Sequence, residues 1–190
     1  MSPALVQAIA IGASAGAVQA LLRILPALPA DFAIPLLIVV HVPSDRSNAL
    51  VSLFAAKCRI AVREAEDKEP ILPGTAYFAP SDYHLLVEAG HSLALSTDEP
   101  VNHSRPAIDV LLESAADAYG PALAGIVLTG ANHDGAAGLK AVADAGGLAI
   151  VQDPADAQVP TMPEAALAAC PSARVMTLDD LIPYLLTLAA

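Results

Sequence analysis

At 190 residues, with 55% hydrophobic and 15% charged side chains, the chain reads as one globular domain and not as a disordered segment. Nine basic against twenty acidic side chains leave a formal charge of −11, which argues against a nucleic-acid or anionic-membrane binder, since both need a basic footprint. Apolar runs such as Leu36–Val40 fall far short of the roughly 20 residues of a membrane span, so membrane insertion is not expected either.

Strands and helices alternate along the chain. Leu5–Ile11 predicts a strand closed by glycine, and Val18–Leu25 a helix stopped by Pro26. Leu36–Val40 is a β-branched buried strand, Asn48–Cys58 a helix and Ile60–Arg63 a short strand. The grammar then changes. Ala76–Phe78, Leu85–Glu88 and Leu93–Leu95 are short strands parted by Pro80-Ser81-Asp82 and Ala89-Gly90-His91, which are hairpin signals. Alternation resumes with a helix over Ile108–Tyr119, a strand over Leu123–Leu128 and a helix over Ala136–Ala145. A strand ending at Ile150–Gln152 and helices over Pro163–Ala169 and Leu178–Leu188 complete the chain. The fold class that follows is α/β: a doubly wound, mostly parallel sheet, helices on both faces, and an antiparallel hairpin edge. Cys58 and Cys170 lie far apart without metal-ligand spacing, which fits free thiols in a reducing cytoplasm.

Such sheets carry their chemistry at the carboxyl ends of the strands. The first end reads Ile11-Gly12-Ala13-Ser14-Ala15-Gly16, a G-x-S-x-G turn between strand and helix. It would expose a serine hydroxyl near a helix N-terminus, although Ser14 equally suits a helix cap. The second is Val40-His41-Val42-Pro43, where a lone histidine would more often be structural. The third is Thr129-Gly130-Ala131-Asn132-His133-Asp134-Gly135, and Asp134 also suits a cap for the helix from Ala136. Together they supply a nucleophile, a base and an orienting carboxylate, in the order Ser14, His41, Asp134. An α/β-hydrolase would run Ser–Asp–His, and no histidine lies beyond His133. A dinucleotide-binding fingerprint would need glycine at 14 and 17, where serine and alanine stand, and an acid where the second strand ends in His41. The histidine spacings match no zinc motif.

These residues resemble the catalytic domain of the CheB-type protein-glutamate methylesterases of bacterial chemotaxis. The landmarks run in order from Val6 to Met176: Ile11-Gly12-Ala13-Ser14, Val40-His41-Val42-Pro43, and Gly74-Thr75-Ala76-Tyr77-Phe78-Ala79-Pro80 with His84. They continue with His103-Ser104-Arg105-Pro106-Ala107-Ile108-Asp109, Leu128-Thr129-Gly130 with Asp134-Gly135-Ala136, and Gln152-Asp153-Pro154 with Met162-Pro163. The resemblance implies Ser14 as nucleophile, His41 as general base and acid, and Asp134 as orienting carboxylate. It implies hydrolysis of glutamyl methyl esters, with possible glutamine deamidation, on the cytoplasmic domains of methylated chemoreceptors, with no cofactor. The Ala131 amide would serve the oxyanion, and Ala15 and Arg105 would line the substrate site.

The chain departs from the family pattern at Ala15 and Ala17, and again at Ala131, Asn132 and His133. His133 either competes for Asp134 or faces solvent. Arg105 either guides an acidic or polar receptor segment or shapes the entry to the next helix. A receptor- or methyltransferase-docking module with a degenerate site, and an esterase for another acyl ester, are the alternatives. The expected organisation is a single catalytic domain over 1–190 without the family's phosphoacceptor receiver domain, either an excised fragment or, the favoured reading, a stand-alone member.

Overall fold

The computed structural model describes residues 5–43 and 47–190. In chain order its elements are β1 (Ala8–Ala13), α1 (Ala17–Ile24), β2 (Leu36–Val40), α2 (Ser47–Lys57), β3 (Ala61–Glu64), β4 (Thr75–Phe78), β5 (His84–Val87) and β6 (Leu93–Ser96). There follow α3 (Ile108–Tyr119), β7 (Leu123–Val127), α4 (Ala136–Asp144), β8 (Leu148–Gln152), α5 (Thr161–Ala169), β9 (Arg174–Met176) and α6 (Leu178–Leu188). The large sheet runs β3-β4-β2-β1-β7-β8-β9, and every neighbouring pair in it is parallel.

Sequence dictates which strands are central. β1, β2 and β7 are continuous apolar runs and are buried at every residue, as a strand covered on both faces must be. Side-chain alternation sorts β1 between two layers. Ile9 and Ile11 join a cluster with Leu21 and Ile24 of α1, Phe54 of α2, and Leu181 and Leu185 of α6. Ala8 and Ala10 join the opposite cluster with Leu111 and Leu112 of α3 and Leu139 and Val142 of α4. Each such Leu or Ile is stabilised by about 1.5–3 kcal/mol on burial. The small side chains on the second face let α3 come close. A Cβ on Gly12 would stand 2.2 Å from Ile108 Cγ2, so the glycine makes room for the first residue of α3.

Two sequence expectations are corrected. The hairpin exists, as β5 paired antiparallel with β6, but it forms a separate two-stranded sheet instead of extending the large one. Leu85, Val87 and Leu93 bury themselves in the α3 layer, and the Val87 amide donates to Ser114 Oγ on α3 at 3.0 Å. The hairpin therefore lies over a helix and does not reach the sheet edge. Ala76–Phe78 belongs to β4, fully buried between β2 and β3, and pairs in parallel with both. Two smaller differences lie at the ends of the chain. The first strand begins at Ala8, with Leu5 exposed, and β9 has no counterpart in the predicted elements.

The chain winds from β1 through β2 to β4 on one side, then returns through β7 and β8 to β9 on the other. The winding reverses between β1 and β7, and the carboxyl ends of these two strands flank the crevice where open α/β sheets bind ligands.

Candidate active site

Ser14 follows the last residue of β1 and His41 follows the last residue of β2. Ala13 and Val40 are register partners, so the two chemistry-bearing residues stand side by side on neighbouring parallel strands. The His41 amide donates to the Ala13 carbonyl at 3.1 Å, continuing the ladder up to them.

The turn after β1 is tied down by main-chain and threonine contacts. Ser14 N–H donates to the Thr129 carbonyl at 3.0 Å, and Thr129 Oγ1 donates to the Ala15 carbonyl at 2.8 Å. Gly16 takes φ +84, a left-handed conformation natural to glycine, and is the N-cap residue of α1. Ser14 therefore does not cap that helix with its side chain; only its carbonyl accepts, from Ala17 N–H at 2.9 Å. Its hydroxyl makes no hydrogen bond among the described residues, to His41 or to any other group. Contacts of that kind commonly tighten only when substrate binds. Nor do the Ala15 and Ala131 amides find an acceptor among the described residues, which leaves both available to a ligand.

The histidine–carboxylate pair is tightly built. His41 Nε2 lies 2.8 Å from Asp134 Oδ2. Asp134 is fully buried, and it also accepts from the Ile108 amide at 2.6 Å, the Asp109 amide at 3.0 Å and Asn102 Nδ2 at 2.8 Å. Burial pushes the Asp134 carboxyl up, but the donors from His41, Ile108, Asp109 and Asn102 outweigh it and hold the group below the usual carboxylate range. An ionised carboxylate only accepts hydrogen bonds, so facing it His41 carries its proton on Nε2 and leaves Nδ1 with a lone pair.

Asp134 does not cap α4 as its position suggested. The N-cap residue there is Gly135, at φ +97, with no side-chain cap of its own. The Asp134 carboxylate instead takes the first two amides of α3 and so sits at the positive end of that helix.

Other predicted residues fall around this pair. His133 is exposed and makes no hydrogen bond to Asp134; the residue that reaches both partners is Asn132. Its Oδ1 accepts from the Asp134 amide at 3.0 Å, and its Nδ2 lies 3.4 Å from His41 Nδ1. Arg105 donates from Nη1 to the Thr97 and Asp98 carbonyls at 3.1 and 3.3 Å, while its buried Nε has no partner. With His41, Val42, His103, Ser104 and Pro106 it lines a hollow of about 200 Å³ beside the histidine. The sequence expectations contained no role for Asn102, Asp109 or Asn132. Asp109 does lie in a stretch marked by resemblance, and Asn132 stands at one of the noted departures. Among the described residues, no group of three or more His, Cys, Asp or Glu side chains is arranged to hold a metal ion, and no helix is long and apolar enough to cross a membrane.

Comparison with known proteins agrees with this architecture. Residues 9–185 match the family model described as CheB methylesterase. A relative from Leptospira interrogans is 45% identical over 175 residues, covering 92% of this chain and 91% of its own. The protein-glutamate methylesterase/protein-glutamine glutaminase of Bordetella parapertussis is 40% identical over 181 residues, which are 93% of this chain and 51% of that longer protein. The crystal structure of the Thermotoga maritima CheB methylesterase catalytic domain superposes with a TM-score of 0.91 at 31% identity, over 96% of this chain and 98% of that one. A family match across nearly the whole chain, a close relative and a superposable fold make the same assignment: this chain belongs to the CheB methylesterase family.

Proposed function

We propose that Ser14, His41 and Asp134 are the catalytic triad of a serine esterase acting on glutamyl methyl esters. The observation that carries this reading is the 2.8 Å His41–Asp134 contact, set one strand away from a serine at the matching register position. As a family member the protein is a protein-glutamate methylesterase, a carboxylic ester hydrolase.

His41 Nδ1 takes the Ser14 proton as Oγ attacks the ester carbonyl. The Ala131 amide, with that of Ala15 in the turn before α1, receives the oxyanion. The tetrahedral intermediate collapses, His41 returns the proton to the leaving oxygen, and methanol departs. Water, deprotonated by His41, then releases the glutamate carboxylate and regenerates Ser14. No step calls for a cofactor. The same attack on a glutamine side chain would release ammonia.

The substrates on this reading are methylated cytoplasmic segments of chemoreceptors, and the protein would act in the cytoplasm as a single catalytic domain. Arg105, which lines the hollow next to His41, would meet polar or acidic receptor side chains there. At a net charge of −11, attraction to an acidic segment must come from such local contacts. The test is methanol release from methylated receptor by wild type and Ser14→Ala. Release by the wild type alone supports the reading, and equal release from both overturns it.

A further inference from the structure

Behind the His41–Asp134 pair lies a second buried carboxylate. Asp109, in the first turn of α3, accepts from the Gly135 amide at 3.0 Å and the Gly138 amide at 2.7 Å through Oδ1. Those amides open α4, so Asp109 caps α4 while Asp134, just before α4, caps α3. Each helix N-terminus is satisfied by an acid from the neighbouring segment.

Two buried negative charges this close need a shared donor, and among the described residues no Lys or Arg side chain pairs with either. Asn102 provides it. Its single Nδ2 donates to Asp109 Oδ2 at 2.7 Å and to Asp134 Oδ1 at 2.8 Å, one proton to each carboxylate. Asn102 holds φ +53 at the tip of a tight turn closed by reciprocal Val101–Ser104 main-chain hydrogen bonds of 3.0 and 2.9 Å. Buried His84 secures the strap that carries this turn. Its Nε2 donates to the Glu99 carbonyl at 3.0 Å, and its Nδ1 accepts from the Ala107 amide at 3.2 Å.

We infer that Asn102 and Asp109 are positioning residues for the reaction: Asn102 bridges two buried carboxylates so that Asp134 stays ionised and aligned on His41. The inference rests on the triad reading above. Other titratable or charged groups around the pair are His41 from the end of β2, Glu113 from α3, His133 before α4, and His103 and Arg105 on the strap. Glu113 is itself pushed up by burial and by the charges of Asp109, Asp117 and Asp134, so this corner already carries excess negative charge. Without the Asn102 amide the two acids face each other with no common donor, and Asp134 takes a proton more readily. An uncharged Asp134 no longer stabilises protonated His41.

The test is kcat and KM for methanol release, read beside the pH at which the downfield NMR resonance of the His41 Nε2 proton is lost. Asn102→Ala should lower kcat about ten- to hundredfold with little change in KM. The downfield resonance, which needs an ionised Asp134, should be lost at a higher pH than in wild type. Combined with Asn102→Ala, the nearly isosteric Asp109→Asn removes the second charge and should return kcat and the resonance toward wild type. A folded Asn102→Ala with wild-type kcat and resonance overturns the inference, as does a double variant no closer to wild type than Asn102→Ala alone. If the wild type releases no methanol, the esterase reading falls alone, because the resonance still decides the role of Asn102.

Discussion

The serine corner and the carboxylate corner of the site are built by opposite means. Asp134 is fully buried and receives four donors, two of them the opening amides of α3. Ser14 is half-buried, its hydroxyl is free of hydrogen bonds, and the Ala15 and Ala131 amides beside it are unclaimed among the described residues. One corner is satisfied internally and the other is left for the substrate. The difference separates what has to be held before reaction from what has to be offered to it. The base must have its tautomer settled in advance, whereas oxyanion donors are useful only if nothing else occupies them.

Substitution at the serine corner should produce the sharpest separation of activity from stability. Ser14→Ala is expected to lower methanol release by about four to six orders of magnitude. It should leave thermal stability within about 0.5 kcal/mol, because no hydrogen bond is lost. A large drop in melting temperature would break the contrast. Asp134→Asn should fail on both counts. Activity should fall by about four orders of magnitude. Stability should fall by about 1–3 kcal/mol or more, since an amide NH₂ would face the Ile108 or Asp109 amide that the carboxylate now satisfies. Denaturant titration alongside the assay checks both.

Gly12→Ala probes the contact between the corners. The added methyl would press on Ile108, whose amide holds Asp134, so a cost of about 1–3 kcal/mol is expected together with a partial loss of activity. The smallest effect is that of acid. The Asp134 carboxyl is held below its ordinary value in the folded chain, so its charge contributes stability above the unfolded value of about 4. That contribution is lost as pH falls through the lower folded value. Denaturation midpoints measured from pH 6 down to pH 3 should therefore fall less steeply in Asp134→Asn than in wild type.

The elements that sequence patterning revealed are those whose burial is continuous. Leu36–Val40 and Leu123–Val127 are apolar at nearly every position because both faces are covered. β9 is three residues long with Arg174 and Val175 exposed, so it has no apolar pattern to read. Where Ala76–Phe78 and the hairpin would pair was equally hidden, because period and burial do not name a partner. That choice depends on where α3 lies. Ser14, His41 and Asp134 stood out as candidates because each ends a strand or opens a helix in a chemically pointed way. Asp134's anchors did not, since two are backbone amides without a side-chain signature. The usual capping rule also assigns an acid to its own helix, whereas here the acid serves the helix across from it. Asn102 looks like any polar loop residue until the fold sets two carboxylates against it.

The exchange of caps between α3 and α4 bears on the chain's life before it is fully folded. Neither helix carries a side-chain cap of its own, and neither acid has its donors until segments some 25 residues apart in sequence have docked. A partly assembled chain therefore has a serine at the end of β1 but no ionised, aligned partner for His41. On the triad reading, hydrolytic competence and tertiary closure would arrive together, and a chain without the docked α3 and α4 would be inert toward esters.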